Sequence, residues 1–311
     1  MANRPEDSIS ATATDVTLGA RLSPATGAPD GQVRTVLASD GYELSYRVWP
    51  TADDAAAVGT IVLFNGIMSH SLWFRPLAAP LRAAGLKIVG ADRRGSGMNR
   101  VARGDAPSAQ VLLDDACAII EIERLPGRPL HAAGWCWGAV LAINVAAELP
   151  RPPSRLMLLA PGLFPVEALK RRMAAEVEVA KTTARREDEA CLASPIAEEM
   201  FTAGPALRSF IAPDAQKLTH VSPRFHAIMA KLGMGVRLKL PRLAVPSLVV
   251  LASRDAATDN AETTRGFTKL TGGRAVFETI DGAHGLQFDA PDRLAQVIAA
   301  FASRTGAAGP P

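Results

Sequence analysis

The 311-residue sequence lacks the features that define several large classes of protein. Its three cysteines are odd in number and far apart, which excludes a disulfide framework or a zinc cluster and favours a reducing compartment. The net charge is only +3, with both signs interspersed, so nothing favours a nucleic-acid partner. No apolar run is long enough for a membrane span, and the N-terminal stretch has no apolar core of a secretion signal. We therefore expect a cytoplasmic protein.

What is present is an alternation of strand and helix patterns. Five short runs are almost continuously apolar, as in strands that are covered on both faces of a parallel sheet, and a sixth run is a candidate last strand. A β-hairpin with a tight turn at Asp40-Gly41 precedes them. This alternation predicts an α/β fold with a mainly parallel sheet. The six runs are 60–66, 86–92, 130–136, 155–161, 247–253 and 275–280.

The domain organisation follows from one interruption of this alternation. Residues 163–245 show helical stretches and no strand pattern, whereas connections between sheet elements usually have only about 2–6 residues. We interpret the interval as a helical cap or lid, inserted into an α/β core of residues 35–162 and 246–303. Residues 1–34 and 304–311 are rich in small residues and proline, and we expect both to be flexible.

One short stretch points to chemistry. Gly134-Trp135-Cys136-Trp137-Gly138 lies between a predicted strand and a predicted helix, which is the context of the G-x-S-x-G nucleophile elbow of many hydrolases. The elbow needs small residues two places from the nucleophile, because strand and helix pass too closely for a Cβ. The pattern favours Cys136 as a thiol nucleophile. The alternative is a small apolar cysteine that is simply buried.

A thiol nucleophile needs an imidazole base, and the imidazole needs an orienting carboxylate. Asp255 and His284 directly follow the last two predicted strands, so we expect them at the same sheet edge as Cys136. We predict that Cys136 attacks, His284 transfers the proton and Asp255 orients His284. Asp259 is the alternative acid, although its place before a helical stretch is more typical of an N-cap.

The tetrahedral intermediate of such a reaction needs two backbone donors for its oxyanion. We predict that these are the N–H groups of Trp137 and of Ile67, which lies in the loop after the strand 60–66. The alternative for that loop is an ordinary glycine turn. We expect His70 and the pair Arg93-Arg94 to be structural rather than catalytic.

Taken together, the motifs resemble the α/β-hydrolase fold over about residues 35–303. "FNGIMSHSLWF" resembles the oxyanion loop of the monoacylglycerol lipase and lysophospholipase-like branch, and "ADRRGSGMN" resembles its strand-end signature. "SRDAATDN" and "GAHGLQFD" resemble its acid and histidine loops. The resemblance implies a mainly parallel eight-stranded sheet flanked by helices, a helical lid, and no metal or organic cofactor. The sequence departs from the branch at Cys136, Asn65 and Ser253.

The cysteine alters the expected chemistry. Attack of a thiol on a thioester is nearly neutral in energy, whereas attack on an ordinary ester is uphill. We therefore favour acyl transfer, as a thioesterase or an acyltransferase, with secondary metabolism as a candidate setting. An acyl carrier protein or CoA is a candidate donor, and water, an amine, a hydroxyl or a carbon nucleophile is the acceptor. One alternative is a plain carboxylic-ester or lactone hydrolase, and another is a non-catalytic, ligand-binding member of the fold.

Overall fold

The computed structural model describes residues 30–304. Strands, helices and short 3₁₀ turns alternate along this part of the chain, in the order that the sequence pattern predicts. The strands are β1 (Gln32–Leu37), β2 (Glu43–Trp49), β3 (Gly59–Phe64), β4 (Leu86–Ala91), β5 (Leu130–Trp135), β6 (Arg155–Leu159), β7 (Leu192–Ala193), β8 (His220–Val221), β9 (Ser247–Ala252) and β10 (Val276–Ile280). The α-helices are α1 (Arg75–Ala83), α2 (Ala109–Glu123), α3 (Trp137–Glu148), α4 (Glu167–Thr183), α5 (Pro205–Ile211), α6 (Pro223–Lys239), α7 (Asn260–Thr271), α8 (Leu286–Asp289) and α9 (Pro291–Ala302).

Eight of these strands form one sheet in the order β1-β2-β4-β3-β5-β6-β9-β10. The pairs from β4 to β10 are parallel, whereas β1 with β2 and β2 with β4 are antiparallel. Strands β3, β4, β5, β6 and β9 are buried along their whole length, as their continuously apolar sequences require. The predicted mainly parallel eight-stranded sheet is thus confirmed.

Helices cover both faces of the sheet and divide the core into two clusters of buried side chains. Helices α1 and α9 pack against each other on one face. On the other face lies α3, which begins directly after Cys136 and is buried along nearly all of its length. Helix α6 packs on the far side of α3. The helix that carries the candidate nucleophile is therefore held inside the protein.

The insertion, residues 163–245, contains α4, α5 and α6, as the helical pattern predicts. The expectation that it contains no strand was wrong in one detail. Strands β7 and β8 form a two-residue antiparallel pair in which Leu192 lies opposite Val221. Two residues are too few to show a strand period in the sequence.

The expected flexible segments lie mostly outside the described part of the chain, which omits 1–29 and 305–311. The boundary at residue 34 was wrong, because β1 begins at Gln32 and pairs with β2. From residue 30 to residue 304, no helix is long and apolar enough to cross a membrane.

Candidate active site

The strand-to-helix turn after β5 has the geometry of a nucleophile elbow. Cys136 has φ 57° and ψ −125°, a conformation that non-glycine residues rarely adopt. A Cβ at Gly134 would lie 2.1 Å from the carbonyl oxygen of Gly138, and a Cβ at Gly138 would lie 2.1 Å from that of Phe64. Neither position accepts a side chain without movement of the backbone. The turn therefore needs both glycines, for the reason that the sequence suggested.

His284 and Asp255 meet at the carboxyl edge of the sheet. Nδ1 of His284 lies 2.8 Å from Oδ2 and 3.0 Å from Oδ1 of Asp255, and both side chains are fully buried. Asp255 also accepts hydrogen bonds from the N–H groups of Ala257 and Thr258 and from the Thr258 hydroxyl. Burial acts to raise the pKa of Asp255. The charge of His284 and these donors outweigh burial, so the pKa is lowered and Asp255 stays ionised.

The carboxylate that contacts His284 is Asp255 and not Asp259. The side chain of Asp259 accepts a hydrogen bond of 2.8 Å from the N–H of Glu262 and caps the N-terminus of α7. This is the N-cap role that the sequence suggested for it. A triad with Asp259 as its acid would require this cap to be broken.

The imidazole of His284 also interacts with the thiol of Cys136. Burial acts to lower the pKa of His284, but the charges of Cys136 and Asp255 outweigh burial and raise the pKa to about 10. Nε2 of His284 is buried and has no hydrogen bond of ordinary geometry with any residue from 30 to 304. The charge of Cys136 is thus the largest of the interactions that raise this pKa. Catalytic hydrogen bonds are often poorly aligned until substrate binds.

Two other contacts fix the loop that carries His284. Nε1 of Trp135 donates a hydrogen bond of 2.8 Å to the carbonyl oxygen of His284. The N–H groups of His284 and Gly285 donate to the carbonyl oxygens of Met200 and Phe201, which belong to the insertion. The backbone of this loop is therefore held by Trp135 at the end of β5 and by two residues of the insertion.

Both predicted oxyanion donors lie beside Cys136. Trp137 is the first residue of α3, so its N–H has no partner within the helix. Ile67 follows Gly66, where a Cβ would lie only 3.1 Å from the Cβ of Cys136. Within the described range, the N–H of Ile67 donates to no backbone carbonyl. The structure therefore brings together all five residues that the sequence suggested.

The loop after β3, residues 65–70, is connected to the insertion by polar contacts. Nε2 of the buried His70 lies 2.7 Å from Oδ2 of Asp214, and Nε1 of Trp73 donates to the same oxygen, also at 2.7 Å. Burial acts to raise the pKa of Asp214, and its interactions with His70 outweigh burial and lower the pKa to about 2. The N–H of Leu218 donates to the carbonyl oxygen of Met68. His70 thus takes part in the contact between this loop and the insertion.

A cavity of about 100 Å³ opens next to Cys136. Cys136, Ile67 and Trp137 form one wall, and most of the remaining wall comes from the insertion. The lining is mostly apolar, and its polar side chains are those of Glu176, Ser194, His226 and Thr258. An apolar cavity with few polar groups is suited to an apolar part of a substrate. The apolar residues that the insertion contributes include Leu169, Met173, Leu192, Ile196, Val221 and Met229.

Nothing in this part of the chain forms a metal site. Among residues 30–304, no three His, Cys, Asp or Glu side chains are grouped so that they could hold a metal ion. The three cysteines are free thiols, and Cys136 is the buried one.

Comparison with known proteins assigns the chain to a family. A family model, Hydrolase_4, described as serine aminopeptidase, S33, matches residues 55–290. The chain belongs to this family. The matched range includes the turn at Cys136, the loops that carry Asp255 and His284, and the whole insertion. The description names a serine enzyme, whereas this chain has Cys136 at the centre of the elbow. No curated protein sequence matches the chain.

Solved structures with the same fold are distant in sequence. A soluble variant of monoglyceride lipase from Saccharomyces cerevisiae, in complex with a substrate analog, has a TM-score of 0.76 at 15% identity and covers 90% of this chain and 97% of its own. A carboxyl esterase from Bacillus coagulans has a TM-score of 0.69 at 14% identity and covers 87% of this chain and 97% of its own. A thioesterase domain from the curacin biosynthetic pathway has a TM-score of 0.60 at 19% identity and covers 86% of this chain and 98% of its own. At this identity, these similarities establish the α/β-hydrolase fold.

The sequence did not suggest two of the residues at the site. Arg93 contacts the loop after β3 and the residue after Cys136, although only a structural role was expected for it. Asp214 of the insertion accepts hydrogen bonds from the loop after β3. Both contacts join segments that are far apart along the chain and that show no common motif.

Proposed function

We propose that the chain is an acyl-ester hydrolase that works through a covalent acyl-Cys136 intermediate. The observation that carries the proposal is the placement of Cys136, His284 and Asp255 at one sheet edge, beside an apolar cavity. The family match and the lipase and esterase neighbours support hydrolysis of esters over other reactions. The cavity supports a substrate with an apolar acyl group.

In the proposed first half-reaction, the Cys136 sulfur attacks the ester carbonyl carbon and a C–S bond forms. The N–H groups of Trp137 and Ile67 donate to the oxyanion. The C–O bond to the alcohol then breaks, and the imidazolium of His284 gives its proton to the leaving alkoxide. The products of this half are the free alcohol and a thioester on Cys136.

In the second half-reaction, water attacks the thioester carbonyl while His284 accepts its proton. The C–S bond breaks, the carboxylic acid leaves and the thiolate is restored beside the imidazolium of His284. Throughout the cycle, the buried Asp255 holds the imidazole by Nδ1 and stabilises its charged form. No step needs a metal or an organic cofactor.

Acyl transfer from a thioester donor is the second candidate function, and the thiol itself favours it. Exchange of one thioester for another is nearly neutral, whereas an oxoester must be converted uphill into the acyl-cysteine. A CoA ester or an acyl carrier protein would then supply the acyl group, with water, an amine, a hydroxyl or a carbon nucleophile as acceptor. The similarity to a thioesterase domain supports this candidate.

A matched substrate panel tests the proposal. Wild-type protein and Cys136→Ala are assayed on p-nitrophenyl esters and on acyl-CoA thioesters with the same acyl groups, from two to twelve carbons. Hydrolysis of the oxoesters by the wild type and not by the variant is the expected result. A kcat/KM that is much higher on the thioesters, with faster turnover when an amine is added, would favour the second candidate. Binding without turnover of any substrate would favour a ligand-binding protein.

A further inference from the structure

Arg93 is a buried cation beside the oxyanion loop. It directly follows Asp92 at the end of β4, and its side chain is only 6% exposed. Among residues 30–304, no carboxylate lies within 4 Å of its guanidinium group, so it has no ion-pair partner there. Burial lowers the pKa of Arg93 to about 10, which keeps the side chain charged at neutral pH. A buried charge without such a partner is costly unless its N–H groups are hydrogen-bonded.

The hydrogen bonds of Arg93 go to backbone carbonyls of the oxyanion loop. Nη1 donates to the carbonyl oxygen of Gly66 at 2.9 Å, and Nη2 donates to that of Ile67. The planar fork of a guanidinium group can bridge two carbonyls in this way, whereas the ammonium group of lysine has no such fork. Asn65 and Ser69 also donate to the Gly66 carbonyl, at the longer distances of 3.2 and 3.4 Å. Among the residues from 30 to 304, Arg93 is the one whose side chain donates to both carbonyls.

The bond to Gly66 determines where the N–H of Ile67 points. The carbonyl of Gly66 and the N–H of Ile67 belong to one peptide group, and no peptide bond in the described chain is cis. In a trans peptide group, the carbonyl and the N–H point in opposite directions. A carbonyl that is held towards Arg93 therefore turns the N–H of Ile67 to the opposite side.

Two aromatic rings hold Arg93 in place. The centre of its guanidinium group lies 5.6 Å from the ring centre of Trp137 and 5.5 Å from that of Phe225. Trp137 supplies the other predicted oxyanion donor, and Phe225 belongs to α6 of the insertion. Arg93 thus contacts both halves of the proposed oxyanion hole and the insertion that covers it.

We infer that Arg93 is a positioning residue that orients the Ile67 N–H towards the oxyanion. The inference rests on the proposed function, because it assumes that an oxyanion forms at Cys136. The charge of Arg93 also interacts with Cys136, but its hydrogen bonds go to the Gly66 and Ile67 carbonyls. It acts on the reaction through the peptide group between Gly66 and Ile67.

The test compares Arg93→Lys and Arg93→Met in two assays, namely hydrolysis of p-nitrophenyl butyrate and alkylation of Cys136 by iodoacetamide. Alkylation passes through no oxyanion, so it reports the nucleophile alone. In Arg93→Lys, which keeps the charge, we expect kcat to fall roughly tenfold while KM and the alkylation rate change little. In Arg93→Met, we expect kcat to fall roughly a hundredfold, comparable to the loss of one oxyanion donor.

Arg94→Lys is the matched control, because Arg94 is also buried but forms ion pairs with Asp40 and Asp115 instead. It should lower the melting temperature and leave kcat unchanged. The inference is overturned if both Arg93 variants are folded and keep wild-type kcat, or if Arg93→Lys loses alkylation as strongly as hydrolysis. If Cys136→Ala keeps wild-type activity, the proposed function fails instead, whatever the Arg93 variants show.

Discussion

Nδ1 of His284 lies 2.8 Å from Oδ2 of Asp255, and neither side chain has any exposed surface. These residues are 29 positions apart and are brought together because β9 and β10 are parallel neighbours that end at the same edge. An ionised carboxylate at Nδ1 fixes the imidazole tautomer and leaves Nε2 for the proton exchange with Cys136 that we propose.

Asp255→Asn should therefore abolish most of the activity. The amide keeps the shape of the side chain but removes the charge that stabilises the imidazolium, so we expect kcat on p-nitrophenyl esters to fall by roughly four orders of magnitude. Asp259→Asn is the matched control, since asparagine caps a helix about as well as aspartate. It should leave kcat and the melting temperature close to those of the wild type. A larger loss of kcat in Asp259→Asn than in Asp255→Asn would make Asp259 the acid.

The pKa of His284 should depend on Cys136. The charge of Cys136 raises this pKa, so Cys136→Ala should lower it below about 10, as measured by an NMR titration of the imidazole protons. A raised folded-state pKa stabilises the protein fully below the unfolded value of 6.5, and this stabilisation is lost as the pH rises towards 10. The difference in melting temperature between the wild type and Cys136→Ala should accordingly become smaller as the pH rises from 6.5 to about 10. If the pKa of His284 is the same in Cys136→Ala as in the wild type, the charge of Cys136 does not act on His284.

The apolar cavity should set the preference for acyl chain length. Met229 of α6 lines the cavity, and its replacement by alanine enlarges the space beside Cys136. We expect the ratio of kcat/KM for long over short p-nitrophenyl esters to rise roughly tenfold, the effect of a changed apolar contact. Met234→Ala on the same helix is the control, because Met234 is 61% exposed and does not line the cavity. If Met229→Ala and Met234→Ala give the same ratio of kcat/KM for long over short esters, the acyl group does not bind in this cavity.

Replacement of a glycine in the Cys136 turn by alanine should differ in its effect from replacement of a glycine that faces open space. Gly138→Ala places a Cβ 2.1 Å from the carbonyl oxygen of Phe64, so it should lower the free energy of unfolding by about 3 kcal/mol or more. Gly233→Ala in α6 meets no atom within 4 Å and should raise that free energy by roughly 0.5–1 kcal/mol, through helix propensity. Urea denaturation of both variants measures these changes. A stable Gly138→Ala protein would contradict the elbow geometry.

The sequence predicted the sheet and the candidate triad because both depend on local patterns. Continuous apolar runs identify strands that are buried on both faces, and residues at the ends of parallel strands share one edge. Cys136, Asp255 and His284 each lie within four residues of the end of a parallel strand, so their proximity follows from the strand order. The glycines around Cys136 are likewise a local requirement of the turn.

The sequence could not predict contacts between segments that are far apart along the chain. The two-residue pair β7–β8 has no period to detect. The bonds from Arg93 to the loop after β3, and from that loop to Asp214, depend on how the insertion packs over the core. A buried arginine and a surface arginine look the same in a sequence, and only the fold shows which carbonyls one of them reaches.

The central claim is that an acyl group becomes bound to Cys136, and intact-protein mass spectrometry tests it most directly. Wild-type protein is mixed with p-nitrophenyl butyrate, quenched in acid within the first turnovers and weighed beside Cys136→Ala. We expect a mass increase of one butyryl group that maps to the peptide of Cys136, is absent in the variant and is removed by neutral hydroxylamine, as a thioester would be. Wild-type turnover in Cys136→Ala, or a butyryl group on another residue, would contradict the account.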